Sequence, residues 1–328
     1  MIPPLSVFEE ARARIAPHIV RTPLVQLRAG LAARGVAPIV QAPVIDARLE
    51  ADLLVKLESL QASGSFKARG AMSKVLSLPP DVARRGIVTA SGGNHGLAVA
   101  WAGRTIDARA VVYLPARATA AKATRIERWG ATVVRAGDVW DDAHAAALEH
   151  AAREGMTYIH PFADVAVVAG AGTIALEVLE AAPDTDAFIV AIGGGGLAAG
   201  VGAAATQKKP GIRVIGVEPV GAPTLYESLR ANAVIELPSI QTKATTLAPR
   251  RSDALNVDII RETVNEIILV TDDEMRAAAR FLLEEIGIGA ELSGAAAVAA
   301  VISGKAKKAL GGAKAPCALV CGAGSDAL

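Results

Sequence analysis

Short runs of consecutive apolar residues alternate along the chain with longer stretches in which apolar positions recur every three or four residues. The short runs predict strands at Leu53–Leu57, Gly86–Thr89, Ala110–Leu114, Thr132–Arg135, Phe188–Ile192, Arg213–Val217, Ile267–Val270 and Ala318–Cys321. The periodic stretches predict helices at Ala68–Leu78, Asn94–Arg104, Ala120–Trp129, Ala143–Glu154, Gly172–Ala181 and Asp273–Ile286. Strands that are apolar throughout, separated by helices, are the pattern of parallel sheets covered on both faces, so the expected class is α/β. Ser6-Val7-Phe8-Glu9 has the spacing of a capping box and predicts a helix ending before Pro17. Ala295–Ala300 reads as a tightly packed helix. Pro238–Asn256 is the least regular region and reads as a long loop near a ligand or a subunit contact.

Composition narrows the picture. The 328 residues suffice for one large or two modest domains. Hydrophobic residues make up 52% but aromatics only 3%, so the core must be aliphatic. The 34 basic and 33 acidic residues nearly cancel, which argues against a nucleic-acid or anionic-membrane surface. The N-terminus lacks the pattern of a signal peptide, and no apolar run is long enough to span a bilayer. Cys317 and Cys321, on one strand, would lie roughly 13 Å apart, too far for an intramolecular disulfide. A reducing, cytoplasmic setting is therefore expected.

Three turns carry candidate chemistry. Gly193-Gly194-Gly195-Gly196 lies between an apolar strand and a helix opening at Leu197, where backbone N–H groups can converge on a phosphate. The same stretch imitates a dinucleotide fingerprint, with Glu218 closing the next strand, although Gly200 is one residue late for it. Lys67 begins a predicted helix, and a partly buried amine there is more easily deprotonated for imine chemistry. Ser91-Gly92-Gly93-Asn94-His95-Gly96 joins strand to helix and can hold a carboxylate through backbone N–H groups. A lysine and a remote phosphate cradle together suit pyridoxal phosphate, which has an aldehyde at one end and a phosphate at the other.

Ser65-Phe66-Lys67-x-Arg69-Gly70-Ala71, Ser91–Gly96, the tetraglycine, Val217-Glu218-Pro219 and Cys321-Gly322-Ala323-Gly324 follow one another in the order of a known family. The chain resembles the serine/threonine dehydratase and serine racemase group of fold-type II pyridoxal-phosphate enzymes. The resemblance implies a tryptophan-synthase-β-like fold of two doubly wound α/β domains with the cofactor between them. The large domain would be 1–85 and 161–328, and the small one 86–160. It implies that Lys67 carries the cofactor and moves the Cα proton, and that Phe66 packs beside the ring. Asn94 would bond the ring 3-hydroxyl, while Gly193, Gly194, Gly195, Gly196 and Leu197 hold the phosphate. Ser91, Gly92, Asn94 and His95 would bind the substrate carboxylate. Cys321 would face the pyridine nitrogen as a neutral partner, which favours prompt expulsion of a β-leaving group.

Three positions depart from the family pattern. Gly92 stands where the racemases have a serine. The family's divalent-cation site uses Glu, a backbone carbonyl and Asp; Glu218 and Ala222 match, but Thr224 replaces the Asp, so a hard cation loses a carboxylate. The usual Ala-Asp-Gly near the cofactor is replaced around Leu247–Arg251, where Arg250 and Arg251 form either a solvated or subunit-contact loop or a second-carboxylate site. The expected activity is dehydration of a β-hydroxy-α-amino acid such as L-threonine or L-serine by a homodimer. The alternatives are a serine racemase, a hydroxyaspartate dehydratase, a nicotinamide-dependent dehydrogenase or a non-catalytic pyridoxal-phosphate binder.

Overall fold

The computed structural model describes residues 2–27 and 52–324. Its first part runs α1 (Leu5–Ile15), β1 (Leu24–Leu27), β2 (Leu53–Leu57), α2 (Lys67–Leu76), α3 (Pro80–Arg85), β3 (Ile87–Ala90), α4 (Asn94–Thr105), β4 (Ala110–Leu114), α5 (Ala120–Glu127), β5 (Thr132–Arg135), α6 (Trp140–Glu154) and β6 (Thr157–Tyr158). The second runs α7 (Val165–Ala181), β7 (Ala187–Ala191), α8 (Gly196–Lys208), β8 (Arg213–Pro219), α9 (Thr224–Arg230), α10 (Ala254–Thr263), β9 (Glu266–Val270), α11 (Asp272–Ile286), α12 (Leu292–Ile302), α13 (Lys307–Leu310) and β10 (Pro316–Val320).

Two sheets result. A six-stranded sheet has the order β1-β2-β10-β7-β8-β9, and a four-stranded sheet has the order β5-β4-β3-β6. Among the described residues every strand pairing is parallel except β1 with β2, an antiparallel edge that the apolar pattern does not predict. The smaller sheet shows the period-2 rule directly. Ile87, Ala110, Val112 and Leu114 pack with α4 and α5, while Val88, Ala90, Val111 and Tyr113 pack with α6. Both faces are thus covered, as continuously apolar strands require. In the larger sheet, β7 is buried along its whole length and α12 packs across it.

The N-terminal helix departs from the expected cap. It begins at Leu5, one residue before Ser6, and no side chain caps it. Pro4 is extended at φ −66° and ψ 157°, and its carbonyl accepts the Val7 N–H. Proline at the boundary sets the start, overriding the Ser6–Glu9 spacing.

Helix α2 joins the two sheets, with Ala68, Met72 and Val75 in the core of the smaller one. Its other side is tied down by buried charge. The Arg69 guanidinium grips Glu58 through Nε at 2.8 Å and a terminal nitrogen at 2.8 Å. Arg69 also reaches both oxygens of Glu177, which in turn accepts from Lys56 at 2.7 Å. Burial alone would raise the Glu177 carboxyl; hydrogen bonds and charge from Arg69 and Lys56 override it and hold it low. Two cations and two carboxylates balance, so the group can stay ionised in the interior. This network fixes the helix whose first residue is Lys67.

Candidate active site

Two loops distant in sequence are stitched together around Lys67. Ser65 forms a β-bridge with Gly322, the Phe66 N–H donates to the Cys321 carbonyl at 3.1 Å, and the Ala323 N–H donates to the Gly64 carbonyl at 2.9 Å. The Lys67 amine donates to the Pro161 carbonyl at 2.6 Å and lies 5.0 Å from the centre of the Phe66 ring. Burial lowers its pKa from 10.5 to about 8, against the opposing pull of Cys321 and Glu291. It is poised between nucleophile and acid.

The glycine run forms a shaped cradle. Gly195 has φ +91°, the left-handed region where a side chain is strained. A Cβ at Gly194 would run into the Phe162 ring, and one at Gly193 would lie 2.9 Å from the Thr246 carbonyl oxygen. Asn256 and Ser252 peg the loop by donating to the Gly194 carbonyl at 2.7 and 3.0 Å. The loop feeds the first turn of α8, where Gly196 and Leu197 present N–H groups without intrahelical acceptors. Phe162 follows Pro161, so the carbonyl holding Lys67 and the ring walling the cradle are neighbours in sequence.

The Ser91 turn approaches the same residue as this cradle: a Cβ at Gly93 would lie 3.6 Å from Thr246 Cγ2. Ser91 Oγ accepts the Gly93 N–H at 3.3 Å, and α4 starts at Asn94. Asn94 Nδ2 donates to Glu291 Oε1 at 2.7 Å, and Thr246 Oγ1 donates to the same oxygen at 3.1 Å. His95 is 3% exposed, with Nε2 at the Ile159 carbonyl. Burial, with Lys67 adding to it, lowers its pKa to about 3. A buried, neutral ring is not a charged carboxylate partner, so any role of His95 there falls to its backbone N–H in the first turn of α4. Gly92 adds only backbone. The Cys321 thiol donates to the Ser293 carbonyl at 3.5 Å, and burial pushes it up to about 12, so it is uncharged.

Glu291, Thr246, Phe162 and Asn256 escape the sequence reading. Glu291 carries the best signal, an acid immediately before the apolar helix Leu292–Ile302. Thr246 and Leu247 also shift the expected replacement of Ala-Asp-Gly: they approach Gly193, whereas Arg250 turns away to pair with Glu236 at 2.9 Å. Glu218 is fully buried, and its two oxygens accept the Leu225 and Tyr226 N–H groups at 2.8 Å each. Thr224 Oγ1 donates to the Pro249 carbonyl at 2.7 Å. Among the described residues no group of three or more His, Cys, Asp or Glu is placed to hold a metal ion, and no helix is long and apolar enough to cross a membrane.

These features fit pyridoxal phosphate. The cradle admits no side chain at Gly194, the Lys67 amine is buried with its pKa lowered to about 8, and the uncharged Cys321 thiol and the Asn94 amide could serve as partners for polar ring atoms. The family model for pyridoxal-phosphate dependent enzymes matches residues 30–322. The L-threonine ammonia-lyase of Thermotoga maritima is 37% identical over 252 residues, covering 77% of this chain and 63% of that enzyme. The chain thus spans less than two thirds of that relative. The phenylserine dehydratase of Ralstonia pickettii is 37% identical over 275 residues, covering 83% of this chain and 82% of that one. The structure of maize serine racemase superposes with a TM-score of 0.90 at 30% identity, covering 99% of this chain and 94% of that one.

Proposed function

Since this chain belongs to the pyridoxal-phosphate dependent enzyme family, we propose that it is an ammonia-lyase converting a β-hydroxy-α-amino acid such as L-threonine or L-serine to a 2-oxo acid and ammonia. Its cofactor is pyridoxal phosphate, which supplies an electron sink at the substrate Cα when bound. The observation that carries the reading is the buried Lys67 amine at the Pro161 carbonyl, one residue from the ring that walls the glycine cradle.

The chain's own groups divide the work. Gly193–Gly196 and Leu197 would hold the phosphate through backbone N–H groups at the α8 terminus. The Ser91 turn and the first turn of α4 would orient the substrate carboxylate. Asn94, itself held by Glu291, would bond the ring hydroxyl. Lys67 would anchor the cofactor and accept the Cα proton in its neutral form. The β-hydroxyl leaves as water, and the released enamine takes up water and loses ammonia in solution. The neutral Cys321 thiol supports elimination over a persistent carbanion. Gly92 offers no second proton carrier, which weighs against racemisation.

The reading carries with it a cytoplasmic setting, inferred from the cysteine content, and a homodimer, inferred from the family resemblance, with a large domain of 1–85 and 161–328 and a small one of 86–160. The four strands of the smaller sheet, which lie between residues 87 and 158, support that division. A panel of β-hydroxy-α-amino acids assayed for 2-oxo acid release tests the activity. Release from at least one member is expected; conversion to the opposite enantiomer without 2-oxo acid would overturn the reading.

A further inference from the structure

An aromatic ladder runs from α6 through β6 to the loop that carries Pro161. Trp140 stacks on His144 with centroids 4.7 Å apart and planes at 9°. His144 meets Tyr158 edge-on at 5.2 Å, Tyr158 meets His160 at 6.2 Å, and His160 meets Phe162 at 4.7 Å. The chain has only three Trp, three Tyr, five Phe and five His. One of each of the first three and two of the histidines stand in this single row, so the row is not an accident of composition.

Both ends of the ladder touch the site. Phe162 walls the glycine cradle, and His160 adjoins the carbonyl that holds Lys67. At the far end the Trp140 indole donates to the Ala90 carbonyl at 2.9 Å, immediately before the Ser91 turn. Tyr158 ends β6, and Trp140 opens the helix that follows β5, so both lie toward the carboxyl ends of parallel strands, where α/β sheets bind ligands.

Part of the polar edge of the row is already engaged. His144 Nδ1 bonds the Tyr158 hydroxyl at 2.8 Å, and His160 Nδ1 accepts the N–H groups of Phe162 and Ala163 at 3.2 and 2.7 Å. Burial keeps both rings toward the neutral side and pushes the Tyr158 hydroxyl up to about 12. No lysine or arginine belongs to the row. What it offers a substrate is ring surface without charge, and Trp140 remains 41% exposed.

Resting on the ammonia-lyase reading, we propose that the preferred substrate carries an aromatic β-substituent, a 3-arylserine, whose ring lies along the Trp140–His144 end of this ladder. With the carboxylate at the Ser91 turn and Cα beside Lys67, the β-substituent has the ladder as its wall. A methyl group would leave that wall largely unused, and the row itself carries no cation to meet an anionic substituent.

The test is 2-oxo acid release from L-threo-3-phenylserine and from L-threonine by cofactor-loaded wild type, Trp140→Ala and His144→Ala. Wild-type kcat/KM should favour phenylserine by about tenfold or more, and each variant should lower the phenylserine-to-threonine ratio by about tenfold. Equal or reversed wild-type preference, or an unchanged ratio in both variants, would overturn the inference while leaving the ammonia-lyase reading intact. Release from neither substrate, with 2-oxo acid still formed from L-serine, would overturn the inference alone; no release from any β-hydroxy-α-amino acid would overturn both. A binding measurement needs no variant: L-phenylalanine, which has no hydroxyl to expel, should quench tryptophan fluorescence with a Kd at least about tenfold below that of L-alanine. Equal affinities would also overturn the inference.

Discussion

The side-chain amine of Lys67 donates to the backbone carbonyl of Pro161 at 2.6 Å, 94 positions further along the chain. Pro161 lies between the short edge strand of the smaller sheet and the long helix α7. The next residue, Phe162, stands against the glycine cradle. One loop therefore meets the lysine with its carbonyl and the glycine turn with its ring, which ties the two ends of the proposed cofactor site to one segment.

Burial is the leading cause of the lowered Lys67 pKa of about 8. The neutral amine is the nucleophile, so covalent capture of pyridoxal phosphate by cofactor-free protein should accelerate with pH and level off above about 8. Stopped-flow absorbance measures this, and an inflection near the ordinary 10.5 would contradict it. The same shift has a stability consequence. Between about 8 and 10.5 the unfolded chain binds a proton that the native site does not, so the lysine's contribution to stability rises with pH across that window.

Cys321→Ser should retain activity within about tenfold, because hydroxyl and buried thiol are both neutral partners for a ring nitrogen. Cys321→Asp should instead introduce a charge beside Lys67 and change the ratio of 2-oxo acid to side products. Product analysis by chromatography distinguishes the two. Unchanged spectra and partition in Cys321→Asp would place the thiol away from the cofactor.

Gly92→Ser should fold and raise the ratio of racemisation to elimination. A Cβ at Gly92 would meet Leu114 at 3.4 Å and Lys122 at 3.7 Å, ordinary contact distances. Racemisation needs a proton carrier on each face of the planar carbon, and a glycine side chain provides none. Chiral analysis after incubation with L-serine reads the ratio. D-serine formed by the unmodified enzyme as fast as pyruvate would contradict this account of the site.

Much of this site was legible in sequence because its parts are turns between strand and helix, where glycine, lysine and small polar residues stand out against an aliphatic background. Strands β2, β4 and β5 match the expected bounds because each is a short β-rich run between clear breaks. Strands β1 and β6 were not legible. The first is an edge strand set by pairing with β2, and the second has only two residues. Glu291 and Thr246 were hidden for a different reason: each acts through a partner more than forty positions away. Arg250 and Arg251 drew attention by charge alone, and packing ties Arg250 to Glu236 at the surface.

Glu218 should act as a backbone anchor for α9. Glu218→Ala would strand the Leu225 and Tyr226 N–H groups and cost about 1–3 kcal/mol of stability. Millimolar magnesium should leave the Tm of the wild type unchanged, because both carboxylate oxygens already accept hydrogen bonds and Thr224 supplies no charge. A magnesium-dependent rise in Tm that Glu218→Ala abolishes would contradict this assignment.

The most direct test of the account is reduction of the cofactor-loaded enzyme with borohydride, followed by identification of the modified peptide. The cofactor should be fixed to Lys67 Nζ, and Lys67→Ala should remain folded yet neither retain the label nor release 2-oxo acid. Stable label on another lysine, or turnover persisting in Lys67→Ala, would contradict it.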